Sequence, residues 1–453
     1  MTVAATARGL VCLLAAAAVM AAGPEADALR RALAIFVLVG GLWLTQALPL
    51  TVTALLVPVL AVGAGLLEPR AALAPFAHPT IFLFLGGFAL ATALRQQALD
   101  QALARAVLRA AGGRQAQAMV LLAAVTALLS MWMSNTATAA MMLPLALGLL
   151  PDAPSPASAP EPPAPTREAL FVLLALAYSA SLGGMATPVG SPPNALAAAH
   201  AGIGFAQWLA WGAPTALVLW VLMMAVLWLT LRPRFGGRVE VAAVRIVWTR
   251  QRIATVAIFA ATVLAWMGGV PLARALGVRG DIDAWVALCA LVALVTVGGL
   301  RWPQIESHTE WGVLLLFGGG LALSEVMQAA GATRFLAGHV LDALQGAPLP
   351  WVIAGVVVFV IALSELLSNT AAAALVLPVF VPAAAALGLP EPLAAFAVAI
   401  AASCGFMLPV ATPPNGIVYA TGRVPAGWMM RCGFRLNLSC AAALTAGLLV
   451  LAG

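Results

Sequence analysis

Apolar residues run along this chain in blocks of about 20, the length a helix rising about 1.5 Å per residue needs to cross a hydrocarbon layer. Such blocks lie near residues 9–24, 31–49, 51–67, 80–95, 168–184, 206–231, 253–270, 283–300, 312–330, 392–408 and 434–452, which predicts eleven crossings. Two further apolar stretches, 118–149 and 349–388, are too long for one crossing, and each carries a polar Ser-Asn-Thr near its middle. They read as re-entrant hairpins. Residues 9–23, Ala-rich and preceded by Arg8, imitate a signal-peptide core, but the next apolar block follows within a few residues, so they are read as a first crossing.

Composition agrees with this pattern. Of the 453 residues 63% are hydrophobic and 8% charged, against about 25% charged in soluble domains, and the mean hydropathy is +1.04. The expectation is an all-α polytopic membrane protein in a bacterial inner membrane, because outer-membrane proteins span as barrels. All 22 basic residues are Arg, and no dense basic run interleaved with aromatics points to nucleic acid. Their placement instead gives an orientation. With the N-terminus cytoplasmic, sixteen of the 22 fall inside, among them Arg95, Arg105, Arg109, Arg114 and six between residues 232 and 252. Only Arg30, Arg31, Arg70, Arg274, Arg279 and Arg334 fall outside, and the C-terminus is extracytoplasmic. The five scattered cysteines, 12, 289, 404, 432 and 440, form neither a zinc spacing nor an even disulfide set.

The two halves repeat each other. Leu85-Gly86-Gly87-Phe88-Ala89-Leu90 aligns with Gly318-Gly319-Gly320-Leu321-Ala322-Leu323, and Ser134-Asn135-Thr136 with Ser368-Asn369-Thr370. Ser191-Pro192-Pro193-Asn194 then aligns with Thr412-Pro413-Pro414-Asn415. This divides the chain into a first repeat, 1–232, a basic cytoplasmic linker, 233–252, and a second repeat, 253–453. The first holds hairpin 118–149, entering from the cytoplasm, and broken helix 168–200; the second holds hairpin 349–388, entering from outside, and broken helix 392–421. The Pro-rich stretch 151–166 is a loop after the first hairpin. Inverted repeats with matching polar breaks predict a transporter whose site lies near the bilayer midplane between discontinuous helices.

The residues at the breaks suit that role. Proline pairs remove backbone donors, so the helix is expected to unwind around Pro192-Pro193 and Pro413-Pro414, freeing carbonyls that are tolerated in a bilayer only against a cavity or a cation. Gly190 and Ala411 are small enough to let an ion reach the main chain, and Asn194 and Asn415 are placed to bond the loose ends. The Ser-Asn-Thr tips offer neutral oxygens for sodium and donors for a carboxylate, with helix N-termini favouring an anion. Neither tip nor break contains a basic residue, so a dianion there depends on accompanying cations. Glu365 and Glu325 are the acids deepest in apolar sequence and are candidates for function or for internal hydrogen bonding. His78, His200, His308 and His339 lie near span ends, where loop or interfacial roles are expected, and Trp132 beside the first tip is read as packing or an interfacial ring.

Ser130-Met131-Trp132-Met133-Ser134-Asn135-Thr136, Gly190-Ser191-Pro192-Pro193-Asn194, Ser364-Glu365-Leu366-Leu367-Ser368-Asn369-Thr370 and Ala411-Thr412-Pro413-Pro414-Asn415 resemble the signature of the divalent anion/sodium symporter family, over nearly the whole chain. The resemblance implies a homodimeric elevator transporter, with scaffold and transport domains, that co-transports sodium ions with a small dicarboxylate such as succinate, malate or fumarate. It implies one sodium site from Ser130, Ser134, Asn135 and the Gly190 carbonyl. A second would use Ser364, Ser368, Asn369 and the carbonyls of Leu367 and Ala411. The anion would touch Ser134, Asn135, Thr136, Ser191, Ser368, Asn369, Thr370, Thr412 and Pro413. Where the family often has Thr, this chain has Ser364, which keeps the hydroxyl. Exchangers of the family replace sodium ligands by basic side chains, and both sets here are neutral, so symport is expected over exchange. A sodium-coupled citrate or sulfate carrier is the alternative within transport. An intramembrane enzyme is disfavoured because neither H-E-x-x-H nor G-x-S-x-G occurs.

Overall fold

Every regular element among the described residues is a helix, as lipid requires of a chain that must pair its N–H and C=O groups within each segment. The structure is a computed structural model and describes residues 3–150, 165–237, 247–277, 282–343 and 348–452. Most of the Pro-rich loop expected at 151–166 lies outside the described residues, as do Arg238, Arg245 and Arg279.

The first half runs through α1 (Val3–Ala22), α2 (Asp27–Thr45), α3 (Leu50–Gly63), the short α4 (Pro69–Leu73), α5 (Pro79–Gln96) and α6 (Leu99–Arg109). It continues with α7 (Gln115–Ser130), α8 (Asn135–Gly148), α9 (Arg167–Gly184), α10 (Pro192–Ala201) and α11 (Phe205–Leu231). The second half comprises α12 (Arg250–Met267), α13 (Gly269–Leu276), α14 (Ile282–Thr296), α15 (Trp302–His308), α16 (Trp311–Ala329) and α17 (Ala332–Ala343). Its last five are α18 (Leu349–Leu366), α19 (Asn369–Ala386), α20 (Glu391–Ala402), α21 (Pro413–Tyr419) and α22 (Ala426–Ala452).

Each expected crossing has its helix, and each expected hairpin is a pair, α7 with α8 and α18 with α19. Seven helices are long and apolar enough to cross a bilayer by length and composition, and six of these belong to the eleven expected crossings. The seventh is α19, the second arm of the second hairpin. Several of the others are shorter: α3 has 14 residues, α14 has 15 and α20 has 12. The shortness of α20 has a physical cause. It stops at Ala402, not near 408, because residues 403–412 leave the helical path before α21 resumes.

The halves interlock at their centre. Helix α9 packs on α7, α8 and α21, while α20 packs on α18, α19 and α10. Residues 169–186 and 393–402 are buried almost continuously, which is what an apolar helix surrounded by other helices shows. A wall of α3, α5 and α16 stands beside this centre: α16 packs closely on α3, and α5 on α14. Gly319 makes the first of these contacts possible, since a Cβ there would lie 2.5 Å from the Cβ of Ala54. Trp132 is a packing residue as expected, stacked on Phe205 at 6.2 Å and edge-on to Phe259 at 5.2 Å.

Candidate functional site

Both Ser-Asn-Thr tips are helix starts. Helix α7 ends at Ser130, the chain turns, and Ser134 caps α8 by accepting from the Ala137 N–H at 3.3 Å. In the second half Leu367 is extended and buried after α18, and Ser368 caps α19 by accepting from the Ala371 N–H at 3.2 Å. Capping is therefore one role of these serines. It uses the third N–H of each helix and leaves the first two, those of Asn135 and Thr136 or Asn369 and Thr370, without partners inside the helix.

The breaks correct one expectation. The proline pairs do not sit in the unwound stretches but in the first turns of α10 and α21, where a missing N–H costs nothing. The irregular residues precede them, at 185–191 and 403–412. There Asn194 and Asn415 do the bonding expected of them. The Asn194 amide donates to the Gly184 and Thr187 carbonyls at 2.9 and 2.7 Å, and the Asn415 amide to those of Gly405 and Leu408 at 3.1 and 3.0 Å. Both asparagines are fully buried.

Behind each tip lies a cluster of oxygens. The Ser130 hydroxyl donates to the Ala180 carbonyl at 2.6 Å and stands 2.8 Å from the Asn135 amide. The Ser364 hydroxyl has a matching pair of neighbours, the Asn369 Oδ1 at 2.9 Å and the Ala402 carbonyl at 2.5 Å. One hydroxyl carries one hydrogen, so in the second cluster these two acceptors share it. In the first, the surroundings assign the Asn135 amide with its nitrogen toward Ser130 Oγ, the Ala180 carbonyl and the Gly190 carbonyl, at 2.8, 3.0 and 3.2 Å, its two hydrogens divided among the three. Glycine is required here. A Cβ on Gly190 would stand 2.5 Å from the Gly184 carbonyl oxygen, and one on Gly184 would overlap the Asn135 amide.

The tips and breaks open on one cavity of about 400 Å³. It gathers Ser134, Asn135, Thr136, Gly190, Ser191, Ser368, Asn369, Thr370, Ala411, Thr412 and Pro413, while Ser130, Ser364 and Leu367 lie outside its lining and are buried. Four helices, α8, α10, α19 and α21, begin at this cavity. The facing wall comes from α3, α5 and α16 through Thr51, Phe84, Phe88, Val313 and Leu316. A larger cleft of about 880 Å³ lies at the other end of α5, by His78 and Asp283, and touches none of the tips. The smaller cavity is the candidate site because the repeated motifs converge there.

Sequence reasoning missed three contributors. Glu310, just before α16, is the one charged residue lining the cavity. Ala180 and Ala402 act through carbonyls, for which an alanine gives no signal. Of the two acids singled out, Glu365 is a hydrogen-bond partner within the bundle. Its carboxylate accepts from the Phe406, Met407 and Leu408 N–H groups at 2.7, 2.8 and 3.0 Å and from the Asn437 amide at 2.7 Å. Glu325 is exposed. The histidines lie apart from the tips: His78 caps α5, His308 and His339 contact carbonyls of their own helices, and His200 meets Ser324 at 3.4 Å.

Residues 41–395 and 283–452 match the citrate transporter family CitMHS. A protein of Haemophilus influenzae described as an uncharacterized transporter is 45% identical over 415 residues, covering 90% of this chain and 88% of its own length. The sodium-dependent dicarboxylate transporter SdcS of Staphylococcus saprophyticus is 29% identical over 434 residues, covering 90% of this chain and 83% of its own. The crystal structure of the YdaH transporter of Alcanivorax borkumensis shares the fold, with a TM-score of 0.54 at 15% identity over 83% of this chain and 86% of that one.

Proposed function

The chain belongs to the citrate transporter family, the divalent anion/sodium symporters that its motifs resemble, and from that premise we propose that it carries C4-dicarboxylates such as succinate, malate and fumarate into the cell by sodium symport. It is an integral multi-pass membrane transporter and not an enzyme. The observation that carries the finer reading is the pair of neutral, oxygen-rich clusters, built from matching residues, on either side of one cavity lined by no basic side chain. Sodium is the small hard cation that neutral hydroxyl, amide and carbonyl oxygens suit. It would be held by Ser130, Ser134, Asn135 and Gly190 on one side and by Ser364, Leu367, Ser368, Asn369 and Ala411 on the other.

The anion lies between the tips in this reading. Hydroxyls of Ser134, Thr136, Ser191, Ser368, Thr370 and Thr412 and amides of Asn135 and Asn369 are its donors, with Pro413 in contact. The four helix starts add positive potential, although α10 and α21 begin with prolines and offer dipole more than N–H groups. Sodium bound first would order the tips and supply the charge that the cavity lacks. The wall of α3, α5 and α16 would be the scaffold and the interlocked elements α7 to α10 and α18 to α21 the mobile part, with the cavity at their seam. Elevator movement, a homodimer, re-entrant hairpins and a cytoplasmic N-terminus complete the proposal, the last supported by the Arg distribution.

A citrate carrier is the second reading, favoured by the description of the matching family. Uptake into proteoliposomes separates the readings. Succinate should accumulate only under an inward sodium gradient, and succinate should outcompete citrate and sulfate. Asn135→Ala and Asn369→Ala should each abolish that uptake in a protein that still folds. Uptake that ignores sodium but requires internal dicarboxylate would replace symport by exchange, and preferential accumulation of citrate would replace the substrate.

A further inference from the structure

The two oxygen clusters belong to different halves of the chain, and one buried side chain ties them together. Helix α9 supplies the Ala180 carbonyl to the first cluster. Two residues earlier on the same helix, the hydroxyl of fully buried Tyr178 donates to the Phe406 carbonyl at 2.8 Å, with the two rings edge to face at 5.0 Å. Phe406 lies in the unwound stretch that follows Ala402, whose carbonyl belongs to the second cluster. The N–H of the same Phe406 is held by Glu365 at 2.7 Å, and Glu365 directly follows Ser364 of the second cluster. Each step from Asn135 through Ser130, Ala180, Tyr178, Phe406 and Glu365 to Ser364 and Asn369 is thus a hydrogen bond or a short run of chain.

The tie is specific to one direction. In the second half, Ile400 stands two residues before Ala402, where Tyr178 stands before Ala180, and it has no hydroxyl to return the contact. Among the described residues, Tyr178 to Phe406 is also the one side-chain hydrogen bond joining α7–α10 to α18–α21. We propose that Tyr178 couples the two cation clusters, so that a cation drawn into the first, by fixing α9, sets the Phe406 peptide and raises the affinity of the second. The inference rests on the sodium-symport reading. The element the coupling would act on is the irregular stretch 403–412, which has no helical ladder of its own and which side-chain bonds from Glu365, Asn415 and Tyr178 hold. Coupling of this kind is reciprocal, so occupancy of the second cluster strengthens the first. Tyr178 touches neither ion nor anion and is a positioning residue.

The test is the sodium dependence of succinate uptake into proteoliposomes for the parent chain and for Tyr178→Phe, which removes one oxygen and keeps the ring. The parent should show a Hill coefficient above 1. Tyr178→Phe should bring it toward 1 and raise half-saturating sodium about three- to tenfold, with the maximal rate at saturating sodium within about twofold. A purely structural role would instead lower the maximal rate and leave the slope alone. Should that variant not fold, Glu365→Gln, at the other end of the Phe406 peptide, must lower the slope as well. An unchanged Hill coefficient in whichever variant folds overturns the coupling while the transport reading stands. A parent with a Hill coefficient of 1 overturns it too, and a parent that ignores sodium removes both.

Discussion

Gly184 and Gly190 bring two main-chain segments against the Asn135 amide with no space for a methyl group, whereas the corresponding second cluster is looser. A Cβ on Gly405 would stand 3.3 Å from both Ser364 Oγ and the Cβ of Ala411, and the position matching Gly190 is already Ala411. Gly184→Ala should therefore lower sodium-dependent uptake at least about fivefold, because overpacking a rigid site costs about 1–3 kcal/mol. Gly405→Ala should stay within about threefold, and equal losses in the two variants, measured at matched expression, would contradict the asymmetry. The tip residues were legible because hydroxyls and amides inside apolar sequence need an explanation. The Ala180 and Ala402 carbonyls were not, since every residue carries one and only the fold says which meet the hydroxyls behind the tips. Tyr178 was hidden for the opposite reason: it sits in an unbroken apolar run and looks like core.

The broken helices are held open by side chains more than by their own backbone. Asn415 satisfies two carbonyls at once, and Asn194 does the same in the other half. Asn415→Ala should cost roughly 1–3 kcal/mol for each carbonyl left without a donor, visible as a lowered unfolding temperature of the detergent-solubilised protein. A change within measurement error would mean that water replaces the amide. The paired helices and the irregular stretches were legible in the sequence because the same polar motifs recur in the same order. Their inner boundaries were not, since proline is compatible with the first turn of a helix as well as with its disruption, and sequence does not distinguish the two. Glu365 illustrates the same limit: an acid three residues from a tip signals importance, but its three N–H partners come from a stretch about forty residues away in the chain.

At the scale of the molecule the cavity is a seam between two packed groups of helices, and each side contributes differently. The interlocked centre offers neutral donors and oxygens, while the wall contributes apolar rings and one carboxylate, Glu310. Like charges repel, so on the dicarboxylate reading Glu310 would oppose an anion in the cavity, and a trianion more than a dianion. Glu310→Gln should tighten succinate about three- to fivefold at low salt, with a larger gain for citrate, and the gain should shrink as salt rises. No change in either affinity would place the carboxylate too far from the bound solute to matter. Glu310 was not legible because an acid at the start of an apolar span is commonplace at a membrane surface; its meaning comes from facing the tips across the seam.

The Asn135 amide links its own hairpin, through Ser130, to the neighbouring helix at Ala180 and to the break at Gly190. With two hydrogens for three acceptors, that one side chain holds three segments in register. Asn135→Asp keeps the size, forfeits both hydrogens and adds a negative charge beside the cavity, so we predict that it abolishes sodium-driven succinate uptake in a protein that still folds; unimpaired uptake by that variant would remove the amide from the site.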